Sequence, residues 1–362
     1  MKIYDVCILG GGAAGLITAA SLNKDIKKCI IEKNKTLGRK LAATGGGRCN
    51  ITNEACTGRN LVLDFFKSMG LETYADSEGR YYPYSNQAAD VVKVLEERAR
   101  KQETEIITDM TAESIKVKDG IFVVKCSGGN IRAKKLVMAT GGKSAPQLGT
   151  TGDGYKLAGN MGHTVNKLYP VLTGIECGDF KDIKGVRAKG TVTLVKDGAQ
   201  LKSETGEIQF TEDGISGICV FNLTLDITSE NGENFIDALK RYKVIVDLAP
   251  DFTDEEIASR SSSFGILSQK LAARVSCDIL KHWELPVKGV KGWKAAQCTG
   301  GGIELDEVDS ETMESRIVEG LYITGELLDY QGPCGGFNLQ NAWETGLLAA
   351  EDLNRKLGCD TE

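Results

Sequence analysis

KIYDVCILGGGAAGLITAASLNKDIKKCIIEK, residues 2–33, contains an apolar run, a glycine turn, a helical stretch and a second apolar run that ends in Glu32. Gly10 permits the tight turn from strand to helix, Gly12 lets a pyrophosphate approach the backbone, and Gly15 lets the helix pack closely on the strand. The unpaired N–H groups at the start of the helix favour phosphates, and an acid about twenty residues past the first glycine is placed to accept ribose hydroxyls. The pattern therefore predicts dinucleotide binding.

Two other interpretations of this stretch are weaker. Residues 6–23 carry no charge, which is typical of a membrane helix or a signal peptide. Three consecutive glycines would interrupt such a helix, however, and Asp5 is out of place in the positively charged start of a signal peptide. A purely structural glycine turn would explain neither the second apolar run nor Glu32.

The composition is that of a soluble globular protein, and 362 residues are enough for two domains. The net charge of −6, without a basic block, predicts no nucleic-acid partner, and no other uncharged run approaches membrane-spanning length. The eleven cysteines form no CxxC pair, so their spacing predicts neither a zinc site nor a disulfide scaffold. We therefore expect a cytoplasmic protein with reduced thiols and no membrane contact, whose oligomeric state the sequence leaves open.

The two histidines of the chain restrict its chemistry further. A Ser-His-Asp triad or a histidine-rich metal site would have to be built from His163 and His282. His163 follows an apparent helix end, where a capping or surface role is the commoner one, and His282 lies in a stretch that reads as a helix end. We therefore expect neither a metal site nor a hydrolytic triad, and an organic cofactor would carry the difficult step of any reaction.

Two further glycine-rich segments are suited to a ligand. Residues 43–53, ATGGGRCNITN, combine three glycines with Arg48 and Asn50, which predicts an exposed backbone loop with polar side chains beside it. Residues 135–142 read as a buried strand that runs into ATGG, the way in which a chain passes beneath a dinucleotide at the edge of a parallel sheet.

The remaining pattern predicts ordinary secondary structure. Residues 88–102 have the apolar spacing of an amphipathic helix, residues 120–134 form a hairpin, and Asp153 precedes or caps a helix over 155–161. Apolar and polar residues alternate in stretches between residues 167 and 248, which predicts antiparallel strands.

The apolar residues within 253–284 then have helical spacing. The middle of the chain therefore reads as an inserted second domain. Near the C-terminus, a strand over 321–324 delivers Gly325 and Glu326, and a glycine-led loop opens a final helix over 341–356 whose N-terminus is an anion site.

Four segments together resemble a family of FAD-dependent oxidoreductases, the one named for aminoacetone oxidase and for a bile-acid (3-dehydro steroid) reductase. They are GGGAAG, TGGGRCNITN, ATGG with GTTGDGY, and TMESRIVEGLYITGELLDYQGPCGGFNLQNAWETG. The resemblance implies an α/β fold with a two-dinucleotide-binding-type, Rossmann-like FAD domain formed by residues 1–165 and 296–362. It also implies an inserted antiparallel β-rich substrate domain over 166–250 and a small helical subdomain over 251–295, which is shorter here than in typical members.

The resemblance also implies which residues hold FAD. The first glycines would hold the pyrophosphate, Glu32 the adenosine ribose, and Glu326 the ribityl chain, where related flavoproteins often have Asp. The N-terminus of the final helix would face the pyrimidine edge of the flavin. The full set of implied cofactor contacts is Gly10, Gly12, Ala13, Ala14, Gly15, Glu32, Lys33, Arg39, Lys40, Thr44, Gly45, Gly46, Gly47, Arg48, Cys49, Asn50, Ala112, Ala139, Thr140, Gly141, Gly325, Glu326, Gly336, Phe337, Asn338 and Leu339.

Three functions are consistent with such a cofactor. The first is a reductase that takes hydride from NAD(P)H and reduces an activated C=C bond of a ketone-conjugated small molecule such as a steroid or bile acid. The others are an amine oxidase of the aminoacetone type that uses O2, and a non-catalytic FAD-binding redox sensor. Since there is no second Rossmann motif, NAD(P)H would bind only transiently as a co-substrate. The candidate proton donors are Tyr81, Tyr82, Tyr84, Cys49 and Tyr330, and of these Cys49, Tyr82 and Tyr330 are predicted to be catalytic.

Overall fold

A computed structural model describes residues 2–228 and 234–358 of the chain. The chain divides into two compact units, one formed by Met1–Tyr169 with Cys298–Glu362 and the other by Pro170–Gln297. Within the described residues, no helix is long and apolar enough to cross a membrane.

The strands are numbered in chain order: β1 Ile3–Leu9, β2 Lys28–Ile31, β3 Thr52–Asn53, β4 Thr73–Ala75, β5 Arg80–Pro83, β6 Glu105–Ile107, β7 Ala112–Lys118, β8 Ile121–Cys126, β9 Gly129–Met138, β10 Tyr169–Val171, β11 Ile175–Glu176, β12 Arg187–Lys196, β13 Ala199–Phe210, β14 Gly214–Ser216, β15 Tyr242–Asp247, β16 Trp283–Pro286, β17 Gly289–Val290, β18 Cys298–Gly300 and β19 Leu321–Ile323. The α-helices are α1 Ala13–Ser21, α2 Arg39–Ala43, α3 Arg59–Ser68, α4 Ala88–Lys101, α5 Asp153–Asn160, α6 Ile218–Leu223, α7 Phe235–Leu239, α8 Asp254–Ala258, α9 Gln269–Ala272 and α10 Phe337–Leu357.

A parallel sheet forms the centre of the first unit. Its parallel strands run in the order β6-β2-β1-β9-β19, with Cys7 of β1 opposite Cys29 of β2 and Leu136 of β9. Residues 6–9 of β1 and 136–138 of β9 are apolar and buried, as expected where helices cover a parallel sheet, and α1 packs against both α4 and α10. The predicted Rossmann-like arrangement of this unit is confirmed.

Strand β9 differs from its prediction, which separated a hairpin strand from the buried strand that follows it. The structure has one continuous strand because two different neighbours share its length. Its first half pairs antiparallel with β8, with Phe122 opposite Ala133, and its second half pairs in parallel with β19, with Leu321 opposite Leu136.

The predictions for the helices of this unit differ in accuracy. Helix α4 ends one residue before the predicted residue 102, and its buried residues recur at the predicted helical spacing. Helix α5 begins at Asp153, two residues earlier than predicted, and Gly152 in the left-handed conformation occupies the N-cap position. Asp153 therefore does not cap the helix, and its carboxylate instead pairs with Lys33 at 2.6 Å. Helix α10 begins at Phe337, four residues before the prediction.

Of the capping or surface role expected for His163, the surface role is wrong, whereas its backbone N–H does donate to the Ala158 carbonyl at the end of α5. Its side chain is buried, with Nδ1 2.9 Å from a carboxylate oxygen of Glu307 and Nε2 2.9 Å from the hydroxyl oxygen of Ser315. The Ser315 hydroxyl also accepts from the N–H groups of Ile317 and Val318, so it closes the turn over 315–318. His282 is exposed and contacts Glu284.

The second unit is built on an antiparallel sheet with the strand order β16-β15-β12-β13-β14-β11-β17. The predicted strands around residues 191–195, 208–211 and 244–248 all belong to it. Residues 251–295 differ from the predicted helical subdomain, since they contain short helices together with β16 and β17. Serines at 259 and 261–263 favour turns over a continuous helix. The apolar residues Ile257, Leu271, Val275 and Leu280 join the core of the same sheet.

Candidate functional site

The glycine turn between β1 and α1 leaves space for a ligand at one position. A Cβ on Gly10 would lie 2.4 Å from the carbonyl oxygen of Ala139, and one on Gly15 would lie 1.9 Å from the carbonyl oxygen of Gly10. These two glycines are therefore required by packing within the protein. Gly12 has an ordinary φ of −83°, and none of the described residues places an atom within 4 Å of its Cβ position. Neither backbone strain nor packing within the protein therefore explains Gly12.

Glu32, the predicted ribose ligand, is buried and already anchored by the protein. One of its carboxylate oxygens accepts from the backbone N–H of Gly11 at 2.9 Å, and the other accepts from the backbone and side-chain N–H groups of Asn34 at 2.8 and 2.6 Å. The side-chain amide oxygen of Asn34 in turn accepts from the guanidinium of Arg39 at 2.7 Å. Sequence reasoning missed Asn34. Its position two residues after Glu32 was the only local signal for it.

The loop after α2 is held in the left-handed conformation by its glycines. The φ angles of Gly45, Gly46 and Gly47 are +58°, +65° and +88°. Cys49 shares this conformation at +60°, although it has a side chain and is completely buried. Burial raises the pKa of the Cys49 thiol to about 12, against the opposing effect of a hydrogen bond with Thr44. The thiol is therefore protonated at neutral pH.

The segment after this loop positions the N-terminus of α10. The amide of Asn53 donates to the carbonyl of Gly335 at 2.9 Å, and the hydroxyl of Thr52 donates to the side-chain oxygen of Gln340 at 2.5 Å. A Cβ on Gly336 would lie 2.5 Å from the backbone of Thr52, so only glycine fits there. Two motifs far apart in the sequence thus form one structural unit.

Asn338, the predicted flavin contact in the first turn of α10, has a structural role for its side chain. Its amide nitrogen donates to the carbonyl of Gly332 at 2.8 Å, and its amide oxygen accepts from the N–H of Gly332 at 3.0 Å. The helix N-terminus offers a ligand its backbone N–H groups, and no acidic residue lies in the first turn.

Glu326 lies after β19 in a compact polar network. Its carboxylate accepts from the ammonium of Lys40 at 2.7 Å, the hydroxyl of Ser144 at 2.9 Å and the backbone N–H of Thr299 at 3.0 Å. Ser144 and Thr299 are buried, and sequence reasoning missed both. Gly325 beside it packs against Ala14 of α1, which brings the end of β19 to the start of that helix.

Thr140 carries a polar atom that the protein leaves unsatisfied. Its hydroxyl oxygen is buried and has no hydrogen-bond partner among the residues that the structure describes. A Cβ on Gly154 would lie 1.9 Å from this oxygen, so α5 approaches closely from one side. A buried hydroxyl without a partner is costly.

The three proton donors predicted to be catalytic differ in accessibility. Tyr82 is 3% exposed, the guanidinium of Arg48 lies 4.6 Å from its ring centre, and burial raises its pKa. Cys49 is 0% exposed. Tyr330 is 38% exposed, and partial burial raises its pKa, so its phenol is protonated at neutral pH. Tyr330 is thus the most accessible of the three.

The remaining predicted contacts lie on the same elements. Ala13 and Ala14 begin α1, Phe337 and Leu339 lie in the first turn of α10, and Lys33 pairs with Asp153. Ala112 begins β7, two residues after Met110, whose N–H donates to the carbonyl of Glu32. In the described part of the chain, no group of three or more His, Cys, Asp or Glu side chains could hold a metal ion.

Known proteins resemble this chain over nearly its whole length. The family model described as "HI0933-like protein Rossmann domain" matches residues 4–62 and 58–352. A 3-dehydro-bile acid delta(4,6)-reductase of Clostridium scindens is 35% identical over 94% of this chain and 97% of its own length. A ribosomal RNA dihydrouridine synthase of Haemophilus influenzae is 28% identical over 96% of this chain and 98% of its own length.

A solved structure agrees with the fold. The 3-ketosteroid delta1-dehydrogenase of Sterolibacterium denitrificans superposes with a TM-score of 0.56 at 12% identity, over 98% of this chain and 100% of that one. The predicted α/β fold class and the prediction of an oxidoreductase are confirmed, as is the predicted family. The chain belongs to the HI0933-like Rossmann domain family.

Proposed function

We propose that this protein is an FAD-dependent reductase that takes hydride from NAD(P)H and adds it to a C=C bond conjugated to a carbonyl group. The observation that carries the proposal is the space beside Gly12, which no described residue fills. This space lies where β1 and β9 end, with Leu9 paired to Met138. Parallel sheets bind dinucleotides at this edge.

The residues present fit FAD along its length. The start of α1 would hold the pyrophosphate beside Gly12, with Glu32 and Asn34 toward the adenosine. The loop that contains Gly45–Gly47 and the start of α10 would hold the flavin. Bound FAD would supply the hydride-accepting and hydride-donating atom. The helix dipole of α10 would stabilise negative charge that develops at its N-terminus.

The substrate class is supported by a chemistry that the two relatives share. A 3-dehydro bile acid with 4,6 double bonds has alkenes conjugated to a ketone, and dihydrouridine is uridine whose conjugated ring double bond is saturated. A small steroid-like enone is the better candidate here, because the bile-acid reductase is the more similar of the two. The net charge of −6 also gives little attraction for a phosphate backbone.

Reduction of such a bond needs one hydride on the carbon β to the carbonyl and one proton on the α carbon. NAD(P)H supplies the hydride and becomes NAD(P)+. We assign the proton to the phenol of Tyr330, because it is more accessible than Cys49 and Tyr82 and is protonated at neutral pH. Its hydroxyl lies 3.2 Å from the Cβ position of Gly332, the residue held by Asn338 at the start of α10.

The cofactor is tested by chromatography of the flavin that heat-denatured protein releases. FAD is expected, whereas FMN alone, or no flavin even after incubation with FAD, contradicts the proposal.

The substrate is tested by reducing the flavin chemically without oxygen and then adding one oxidant at a time. We expect a 3-keto-4-ene steroid to restore the oxidised-flavin absorbance and to appear as its saturated product. Restoration by ribosomal RNA alone would contradict the small-molecule substrate. Bleaching of the oxidised flavin by aminoacetone, with reoxidation only by O2, would indicate an amine oxidase instead. A flavin that responds to none of these compounds would favour the sensor.

A further inference from the structure

We infer that Glu326 is a positioning residue that acts on the cofactor through Lys40, and that it is not itself the ligand of the ribityl chain. The inference rests on the proposed FAD site. It concerns the network formed by Lys40, Ser144, Thr299 and Glu326, all of which lie in the first unit.

The carboxylate of Glu326 is occupied by protein donors on both oxygens. One oxygen accepts from the Ser144 hydroxyl at 2.9 Å and from the Thr299 backbone N–H at 3.0 Å, and the other accepts from the Lys40 ammonium at 2.7 Å. The donors from Ser144 and Thr299 are fixed, because their side chains are 0% and 1% exposed. A ribityl hydroxyl would therefore meet a carboxylate that already has three partners.

The backbone also closes one side of this carboxylate. A Cβ on Gly142 would lie 2.7 Å from a carboxylate oxygen of Glu326 and 2.3 Å from the hydroxyl oxygen of Thr299. That hydroxyl accepts from the backbone N–H groups of Lys143 and Ser144 at 2.7 and 3.1 Å. The turn over 142–144 is thus fitted tightly around the carboxylate oxygen that accepts from Ser144 and Thr299.

Lys40 is the member of the network that can serve a ligand. An ammonium group has three donors, and Lys40 directs one to Glu326 and one to the Ser144 hydroxyl at 2.6 Å. Its side chain is 22% exposed, so the ammonium is held in place without being buried. A positive charge fixed in this way, one residue from Arg39 at the start of α2, suits an anionic or hydroxyl-rich stretch of the cofactor.

The network also explains why residue 326 is Glu rather than the shorter Asp. An Asp side chain is shorter by one C–C bond, about 1.5 Å. From the same backbone position, Asp could not contact both the Thr299 N–H and the Lys40 ammonium at hydrogen-bond distance. The length of Glu326 is therefore matched to Lys40 across the edge of the sheet.

A double-mutant cycle on FAD binding tests this inference. Flavin-free protein of full length is titrated with FAD, and the Kd is measured for wild type, Lys40→Met, Glu326→Gln and the double variant. Each single change should raise the Kd about tenfold or more, the loss expected for one charge-assisted hydrogen bond. The double variant should bind no more weakly than Lys40→Met alone, because Glu326 then has nothing to position. A double variant whose loss is the product of the two single losses would overturn the inference, since Glu326 would then contact the cofactor independently.

Two further variants separate positioning from a loss of folding. Lys40→Arg should keep most of the affinity for FAD, because it keeps the charge and the donors, and Glu326→Asp should weaken binding as Glu326→Gln does. Full affinity in Glu326→Asp would contradict the argument from side-chain length. The thermal midpoint of each flavin-free variant shows that it is folded, and Lys243→Met, which removes a 2.7 Å ion pair with Glu284 elsewhere, should leave the Kd unchanged. If wild type itself fails to bind FAD, the proposed function is wrong; if wild type binds and the cycle is additive, only this inference fails.

Discussion

The indole N–H of Trp343 donates a 2.9 Å hydrogen bond to the backbone carbonyl of Ile51, and both residues are completely buried. The bond joins α10 to the segment that follows the glycine loop, two parts of the chain separated by 292 positions. Phe66 packs edge-on against the same indole, with ring centres 5.2 Å apart. The start of α10 therefore depends on this contact for its position over the loop.

Trp343→Phe should destabilise the protein, because the Ile51 carbonyl loses its donor and a cavity forms beside Phe66. We expect the free energy of unfolding to fall by about 2 to 4 kcal/mol, measured by urea denaturation of the flavin-free protein. Phe264→Leu at an exposed position serves as the control and should have little effect. Equal stability of Trp343→Phe and wild type would show that the bond does not hold the helix.

Gly12→Ala and Gly15→Ala should have opposite consequences. The methyl group at Gly12 meets no described atom within 4 Å, so this variant should fold normally and lose affinity for FAD. The methyl group at Gly15 would lie 1.9 Å from the Gly10 carbonyl oxygen, so that variant should lose stability even without flavin. Thermal midpoints and FAD titrations of both proteins provide the comparison. Unchanged FAD affinity in Gly12→Ala would remove the pyrophosphate from this position.

Tyr330→Phe should impair the transfer of a proton to the substrate without affecting hydride transfer from NAD(P)H. We expect turnover of the enone to fall by about 10²- to 10⁴-fold, while the rate of flavin bleaching by NAD(P)H stays the same. Stopped-flow absorbance measures the two half-reactions separately, and Tyr84→Phe, at a position 73% exposed, is the control. A slower bleaching step with an unchanged substrate step would assign Tyr330 to nicotinamide binding instead.

Lys28 should make the stability of the protein rise with pH in the alkaline range. Its side chain is buried with its ammonium on the carbonyls of Asn23 and Ile26, and burial lowers its pKa from 10.5 to about 8. Below pH 8 Lys28 is charged in both the folded and the unfolded protein, so the folded protein bears the full cost of removing this charge from water. Between about pH 8 and 10.5 the unfolded chain binds a proton that the folded chain does not, so stability increases.

The gain from Lys28 should be on the order of 1 to 3 kcal/mol, and it is measured as the difference between wild type and Lys28→Met in urea at several pH values. Other groups titrate equally in both proteins, so the difference isolates Lys28. Lys24→Met, which removes an exposed lysine paired with Glu103, should keep the alkaline rise. Parallel pH profiles for wild type and Lys28→Met would contradict the prediction.

The sequence predicts the first unit well because its signals are local. The glycines at 10, 12 and 15 lie within six consecutive residues. The apolar runs of β1, β2 and β9 can likewise be recognised without reference to distant residues. Helix α4 was predicted for the same reason, since its buried residues recur at one spacing. Such elements carry their whole pattern in a short stretch.

The polar partners of the site could not be predicted in this way. Ser144 and Thr299 meet at 3.1 Å across 155 positions, and both approach Glu326 only after the strands have assembled. The burial of His163 depends in the same way on Glu307 and Ser315 from a distant loop. Sequence periodicity specifies faces of helices and strands, and it contains no information about which loops meet.

Anaerobic mixing of the FAD-loaded protein with NADH or NADPH is the decisive test of an NAD(P)H-linked reductase. We expect one of the two nicotinamides alone to bleach the oxidised-flavin absorbance, and a 3-keto-4-ene steroid then to restore it without oxygen. A flavin that neither nicotinamide reduces, although the protein holds FAD, would contradict the assignment as an NAD(P)H-linked reductase.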